Sequence, residues 1–162
     1  YMQEFDQEGV AYNPDIQIGV MVETPAASLV ADLLAEEADF FSIGTNDLTG
    51  YTMCADRGND KVRYLYSTYN PAVLRSIRRI IEAGNAADIQ VGMCGEAAAD
   101  PTLIPLWIAF GLGEYSVSAT SVLSTRKHIS LWTKEEACAL ADKVMQLKTA
   151  ADVYDALQEA AR

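Results

Sequence analysis

The sequence predicts an α/β fold built on a parallel sheet. Four short runs that are apolar almost throughout alternate with helix-start signals, a pattern typical of buried strands joined by helical crossovers. Polar side chains collect where these runs end, which is where β/α barrels carry their chemistry. The four units occupy 162 residues, whereas a complete β/α barrel has eight strands and about 250 residues. The alternatives are therefore a small doubly wound domain and the second half of a barrel.

The first predicted unit begins with a strand at residues 17–22. Thr24 and Pro25 follow as an N-cap and a first-turn proline, and both residue types favour a helix start at these positions. An apolar stripe at helical spacing is expected to bury this helix, and it consists of Leu29, Val30, Leu33 and Leu34.

The next two helices are predicted from similar signals. A second strand at residues 40–43 leads into Asn46 and Asp47, which are candidate caps for the following helix. After a long connection, Asn70 and Pro71 start another helix. Its expected buried face consists of Val73, Leu74, Ile77, Ile80 and Ile81.

The last part of the chain predicts two more strands and three helices. Residues 91–94 form the third strand, and Asp100 with Pro101 caps a helix that stops at Gly111. Residues 115–118 form the fourth strand. Two pairs with capping-box spacing predict the final two helices, namely Thr133 with Glu136 and Thr149 with Asp152.

Composition indicates one folded domain over residues 1–162 and excludes several classes of protein. The hydrophobic content of 50% argues against disorder, and no apolar run approaches the length of about 18 residues that a membrane span needs. The formal net charge of −11 argues against general affinity for nucleic acid or anionic membranes. The N-terminus has no secretory signal pattern. We therefore expect a cytoplasmic protein without membrane insertion.

The three cysteines, Cys54, Cys94 and Cys138, are widely spaced and odd in number. This pattern favours reduced thiols over a disulfide framework or a zinc site. Free cysteine is most often a small buried apolar residue, and this interpretation applies to Cys54 and Cys138.

Two carboxylates follow neighbouring strands. Glu23 comes directly after the first strand, and Asp47 comes shortly after the second. Carboxylate oxygens suit Mg²⁺ or Mn²⁺, and Mg²⁺ usually takes only one or two protein carboxylates. Helix capping is the ordinary alternative role for acidic residues in these places.

Six segments carry a resemblance to a known family. They are GVMVETPAA (19–27), FFSIGTNDLT (40–49), CADRGND (54–60), YNPAVLRSI (69–77), VGMCGEAAADP (91–101) and YSVSATSVL (115–123). Together they resemble the C-terminal half of the phosphoenolpyruvate-binding barrel of enzyme I, the phosphoenolpyruvate-protein phosphotransferase of the bacterial sugar phosphotransferase system. This resemblance implies a parallel β/α barrel of the TIM type, C-terminal half only, with about four βα units plus C-terminal helices.

The resemblance also implies a role for five residues. Glu23 and Asp47 would bind Mg²⁺, Asn46 and Asp47 would contact phosphoenolpyruvate, Arg57 would bind its phosphoryl group, and Cys94 would donate a proton. These roles are chemically reasonable, because a guanidinium matches phosphate oxygens bidentately and a thiol among carboxylates stays protonated. An isolated arginine is otherwise a surface charge.

The role of Glu96 stays open between two alternatives, since its side chain could support the site residues or anchor its own loop. His128, the one histidine of the chain, follows Arg126 and Lys127 and is interpreted as a surface residue.

The implied activity is transfer of the phosphoryl group of phosphoenolpyruvate to a protein histidine, with release of pyruvate, for sugar uptake. The implied partners are a phosphohistidine domain of the same parent protein, a small histidine-containing phosphocarrier protein and a second copy in a homodimer. The phosphohistidine domain and the first half of the barrel lie outside this chain, so we expect the chain alone to be inactive.

Three alternatives remain open on the sequence. Pyruvate phosphate dikinase and phosphoenolpyruvate synthase share the VE, GTNDL and CGE elements. A Mg²⁺-dependent lyase on a similar barrel would use the same carboxylates. A non-catalytic dimerisation module is the third.

Overall fold

The computed structural model, which describes residues 1–161, contains a four-stranded parallel sheet. Its strands are β1 (Gly19–Val22), β2 (Phe40–Gly44), β3 (Gln90–Cys94) and β4 (Glu114–Tyr115). They lie across the sheet in chain order, without the reversal of strand order that a doubly wound fold contains. The predicted α/β class and parallel sheet are confirmed, and this order is consistent with part of a β/α barrel.

Nine α-helices lie within residues 1–161. They are α1 (Met2–Glu8), α2 (Pro25–Leu29), α3 (Ala31–Ala35), α4 (Thr45–Met53), α5 (Pro71–Ala86), α6 (Ile104–Phe110), α7 (Val122–Ser130), α8 (Lys134–Val144) and α9 (Ala150–Ala160). Two 3₁₀ turns occur at Arg63–Leu65 and Glu96–Ala98. In this part of the chain, no helix is both long and apolar enough to cross a membrane.

Most of the predicted helix starts are confirmed by their capping hydrogen bonds. The Thr24 hydroxyl accepts from the Ala27 amide at 3.2 Å, and the Asn70 side chain accepts from the Ala72 amide at 2.9 Å. Thr133 makes the full capping box that starts α8. These bonds span two or three residues, which is why local sequence predicts them.

Two predicted caps are wrong. Asn46 and Asp47 lie inside the first turn of α4, because that helix already begins at Thr45. The helix expected from Asp100 begins only at Ile104. The carboxylate of Asp100 accepts from the Thr102 amide at 2.9 Å, so it closes a turn that precedes α6.

The fourth strand is shorter than predicted and begins one residue earlier. Its last ladder bond joins the Ser116 amide to the Met93 carbonyl at 2.8 Å. Beyond that point the Ser118 hydroxyl contacts the hydroxyls of Thr120 and Ser121, and the chain turns into α7. Sequence analysis had not identified α7.

The sheet has one covered face. Val22, Phe41, Ile43 and Met93 point toward the helices and are buried. The opposite face carries Met21, which is 51% exposed, and the other residues that alternate with the buried ones. Runs that are apolar almost throughout predict a parallel sheet covered on both faces. This prediction is wrong for residues 1–161, because successive side chains point to opposite faces and only one of the two sets is buried under helices.

The predicted buried face of α5 is confirmed, since all five of its apolar residues are fully buried. The stripe predicted for the helix after β1 is confirmed only at Leu34, which packs against the core. Leu29 and Leu33 are 66% and 60% exposed, whereas Ser28, Ala31 and Ala35 are buried. Two short helices, α2 and α3, replace the single helix and pack against α5. Their small residues allow this close contact, so the larger apolar residues point outward.

Tyr69 joins the start of α5 to the turn before α6. Its hydroxyl donates to the Asp100 carboxylate at 2.6 Å. Burial raises the pKa of Tyr69, and the hydrogen bond to Asp100 raises it further. The phenol therefore stays protonated in the folded chain at pH values where a free tyrosine ionises.

We expect Tyr69→Phe to lower the free energy of unfolding by about 1.5 kcal/mol at pH 7. This value is the low end for a hydrogen bond to a charged group, because the pair is partly exposed. Urea unfolding of the purified chain measures the change, with Tyr64→Phe as the control because Tyr64 is 80% exposed. Since the folded pKa is the higher one, the stability from this bond is present below about pH 10 and is lost as pH rises above it. Equal stability of Tyr69→Phe and the unaltered chain at pH 7 would contradict the assignment.

Candidate functional site

The carboxyl ends of β1, β2 and β3 lie side by side. Gly44 pairs in register with Cys94, and Val22, the residue before Glu23, pairs with Ile43. The Glu23 side chain lies across Gly44, because a Cβ added at Gly44 would overlap the Glu23 carboxylate. A glycine at this position therefore leaves the space that the carboxylate occupies.

The first turn of α4 is tied to the loop after β3. The Thr45 hydroxyl donates to the Cys94 carbonyl at 2.8 Å, and the Glu96 amide donates to the side-chain oxygen of Asn46 at 3.2 Å. Gly95 lies between these bonds with a φ of +89°. A Cβ there would overlap the Thr45 hydroxyl and lie 3.1 Å from the Asn46 side-chain oxygen. Gly95 thus meets both a backbone and a steric requirement.

A cleft of about 510 Å³ opens beside this edge. It brings together three of the predicted site residues, Asn46, Asp47 and Arg57. Glu23 and Cys94 do not line the cleft; they lie at the neighbouring strand ends. The remaining lining residues are Gly50, Tyr51, Cys54, Ala55, Asp56 and Tyr66.

Arg57 forms an ion pair with Glu96 at 3.7 Å, and both side chains are more than half exposed. An exposed pair of this kind contributes little free energy. The guanidinium can therefore exchange Glu96 for another anion at small cost. Glu96, which had no assigned role, thus reaches the arginine across the edge of the cleft.

Glu23 and Asp47 offer two carboxylates that could bind a metal ion. Within residues 1–161 neither side chain makes a hydrogen bond or an ion pair. The same part of the chain holds no cluster of three or more histidine, cysteine or acidic residues suited to a metal. Two unpaired carboxylates fit Mg²⁺, which keeps most of its positions for water and substrate oxygens, better than they fit a zinc centre.

Tyr66 is a residue of the cleft that sequence reasoning missed. Its hydroxyl donates to the Asn46 carbonyl at 2.9 Å. Burial raises the pKa of Tyr66, Arg57 lowers it, and Glu96 and Asp47 raise it. The phenol therefore stays protonated as a donor at neutral pH. A tyrosine in a polar loop carries no local signal of such a contact.

The three cysteines are free and lie in different surroundings. Cys94 is partly buried, and its sulfur lies 4.0 Å from the Ser42 hydroxyl. Cys138 is partly buried on α8. Cys54 is exposed, so the prediction that it is a buried apolar residue is wrong. It follows the last residue of α4 in a left-handed conformation with φ 49°, and it lines the cleft.

His128 lies on α7 and is partly exposed. Its Nδ1 lies 2.8 Å from the Ser124 carbonyl. It does not line the cleft that holds Arg57.

The fold and this edge define an α/β domain that carries carboxylate, amide, guanidinium and thiol groups at the carboxyl ends of parallel strands. A family model described as "PEP-utilising enzyme, PEP-binding domain" matches residues 1–133. The chain belongs to this family, and the predicted resemblance is confirmed.

Curated relatives carry the name phosphoenolpyruvate-protein phosphotransferase. The protein of Bacillus sp. (strain S) is 52% identical over 147 residues, which are 91% of this chain and 25% of the relative. That of Bacillus subtilis (strain 168) is 48% identical over 151 residues, covering 93% and 26%. That of Enterococcus faecalis is 46% identical over 158 residues, covering 97% and 28%. The chain thus spans about a quarter of the length of these relatives.

We expect Gly95→Ala to destabilise the chain by about 1–3 kcal/mol, because alanine is strained at this φ and its Cβ would overlap Thr45. Gly50→Ala is the matched control. A Cβ at Gly50 would lie 3.5 Å from the Ala55 carbonyl, which is ordinary contact, and alanine favours the helix by up to about 1 kcal/mol. Urea unfolding of both variants measures the difference, and equal effects of the two substitutions would refute the steric argument.

Proposed function

We propose that this chain is part of the phosphoenolpyruvate-binding domain of a phosphoenolpyruvate-protein phosphotransferase. The intact protein would transfer the phosphoryl group of phosphoenolpyruvate to a protein histidine and release pyruvate. The observation that carries the proposal is that Asn46, Asp47 and Arg57 share one cleft, in a chain about half identical to enzymes of that name.

Arg57 and Asn46 would bind the substrate. The Arg57 guanidinium offers parallel N–H donors to phosphoryl oxygens. The Asn46 side-chain oxygen already accepts from the Glu96 amide, so its NH₂ group remains for a substrate oxygen. Glu96 would leave Arg57 when the phosphoryl group arrives.

Glu23 and Asp47 would hold Mg²⁺, with Mn²⁺ as a substitute. The support is the donor set, since Glu23 and Asp47 follow the adjacent strands β1 and β2 and neither carboxylate has a partner among residues 1–161. When bound there, the ion would act as a Lewis acid that stabilises negative charge on substrate oxygens.

Cys94 would donate the proton that completes pyruvate. A nitrogen of the acceptor histidine forms a bond to phosphorus while the bond from phosphorus to the enol oxygen breaks. The electron pair stays on that oxygen, which gives the enolate of pyruvate. The thiol then transfers its proton to the methylene carbon of the enolate. Cys94 ends β3 in register with Gly44, over which the Glu23 carboxylate lies, and this position beside the proposed metal site supports the role.

The alternative enzymes are less well supported, because the similar relatives carry the phosphotransferase name and not that of a dikinase, synthase or lyase. The parent's partners would be a phosphohistidine domain within the same protein and a small histidine-containing phosphocarrier, both in the cytoplasm.

We also propose that the sheet is part of a closed barrel in the parent protein. The uncovered sheet face at Met21 supports this idea, because closing the barrel would cover that face. The free edge of β1 would pair with a further strand.

The proposed roles predict different phenotypes in the full-length parent. Glu23→Gln and Asp47→Asn should weaken Mn²⁺ binding and slow transfer to and from the histidine, by about 10²- to 10³-fold. Glu36→Gln is the control, because this exposed carboxylate lies on the helical side. Calorimetric titration with Mn²⁺ and phosphohistidine formation provide the two readouts. Unchanged Mn²⁺ affinity in both site variants would refute the metal assignment.

Cys94→Ala should leave metal binding and much of the phosphohistidine formation intact, because the thiol acts only after the phosphorus–oxygen bond breaks. Protonation of the enolate should slow by about 10²- to 10⁴-fold, the usual share of a general acid. The measurement follows one turnover in deuterated water, with phosphohistidine and deuterated pyruvate quantified separately. Cys138→Ala should behave like the unaltered protein. If Cys94→Ala forms deuterated pyruvate equally fast, another group donates the proton.

We expect the isolated chain to associate into a homodimer or larger oligomer, because its uncovered sheet face and free β1 edge recruit other chains. The helices α8 and α9 do not prevent this, since α8 packs against α6 and α9 packs against α8. Light scattering at micromolar concentration measures the mass, and a stable monomer would contradict the expectation.

A further inference from the structure

Residues 55–65 form the segment between α4 and Tyr66, and they are attached to the rest of the structure at few points. Residues 56–65 are exposed except for Val62, which is partly buried. Their hydrogen bonds are mostly internal, such as Gly58 amide to Asp56 carboxylate at 2.8 Å and Lys61 amide to Asn59 side chain at 3.1 Å. A segment of this kind opens easily unless its ends are held.

Both ends of the segment are held by α4. At the first end, the Ala55 amide donates to the Gly50 carbonyl at 3.0 Å, and Ala55 is buried. At the second end, the Tyr66 hydroxyl donates to the Asn46 carbonyl at 2.9 Å. Arg57 lies between these two attachments.

Both ends of the segment approach α4 near Gly50. A Cβ at Gly50 would lie 3.5 Å from the Ala55 carbonyl and 3.7 Å from the Tyr66 ring, which are ordinary contact distances. Just beyond Tyr66, the Thr68 hydroxyl lies 3.3 Å from that of Thr49. The segment is therefore a loop whose ends are fixed on one face of α4.

Within residues 1–161, the one remaining hydrogen bond or ion pair that attaches residues 56–65 to the rest of the structure is the contact of Arg57 with Glu96 at 3.7 Å. An anionic substrate on Arg57 would compete with Glu96 for the guanidinium. When that pair opens, the polar side-chain contacts that hold the second end of the segment are the hydrogen bond of Tyr66 to Asn46 and the contact between the Thr49 and Thr68 hydroxyls.

We propose that Tyr66 is a positioning residue for Arg57: its hydroxyl fixes the segment 55–65 on the first turn of α4, beside Asn46 and Asp47. The role rests on the proposed function, in which Arg57 binds the phosphoryl group. Tyr66 acts through Arg57 and does not itself touch the reacting atoms.

The test compares the full-length parent with its Tyr66→Phe and Tyr64→Phe variants. Tyr64 lies in the same segment and is 80% exposed, so its hydroxyl is the matched control. The Michaelis constant for phosphoenolpyruvate and the turnover number are measured for each protein. Amide hydrogen exchange of residues 55–65 is measured without ligand.

Tyr66→Phe should raise the Michaelis constant by about 3- to 10-fold, the range expected for loss of one neutral hydrogen bond. The turnover number should change by less than about twofold, because a loosened Arg57 would bind the phosphoryl group less well in the ground state and the transition state alike. Exchange in residues 55–65 should accelerate. Tyr64→Phe should change none of these quantities.

An unchanged Michaelis constant in Tyr66→Phe would overturn the proposal. So would a raised Michaelis constant with unchanged exchange, because the hydroxyl would then contact the substrate directly. A fall in turnover number alone would likewise exclude a positioning role. If the unaltered parent does not consume phosphoenolpyruvate at all, the proposed function fails, and the exchange comparison alone decides whether Tyr66 fixes the segment.

Discussion

The parallel register between β2 and β3 is the constraint on which the candidate site depends. It places Gly44 opposite Cys94, so the helix that follows one strand and the loop that follows the other start side by side. A slip of one residue would turn every side chain of a strand to the opposite face. The bonds from Thr45 to the Cys94 carbonyl and from the Glu96 amide to Asn46 can form only in the observed register.

The positions of the polar groups at the carboxyl ends of the strands follow from this register. Glycines at positions 44 and 95 leave space for the Glu23 carboxylate and for the side chains at the start of α4. The amide oxygen of Asn46 is committed to the neighbouring loop, which orients the rest of its side chain. Among the described residues that line the cleft, Arg57 is the one cation. A trianionic ligand therefore needs further positive charge, from a metal ion or from groups outside this chain.

The exposed apolar side chains of the chain are a second feature that the packing of helices and sheet explains. Leu29 and Leu33 point outward because small residues occupy the contact with α5. Met21 lies on a sheet face that no described helix covers. Burial of such groups is favourable by roughly 25 cal/mol per Å², so these surfaces are suited to contact with other parts of a larger assembly. The share of the relatives that this chain covers, about a quarter, agrees with this view.

The sequence by itself determined the features that depend on near neighbours. The capping bonds of Thr24 and Asn70 and the buried face of α5 arise within a few residues, and the long ordered motifs were enough to identify the family. Only the tertiary structure decided that Leu29 and Leu33 face outward and that Asn46 is not a cap. It also brought Tyr66 to Asn46, a contact between residues twenty positions apart. Such outcomes depend on strand register and on which helix faces fit together, and no local pattern contains that information.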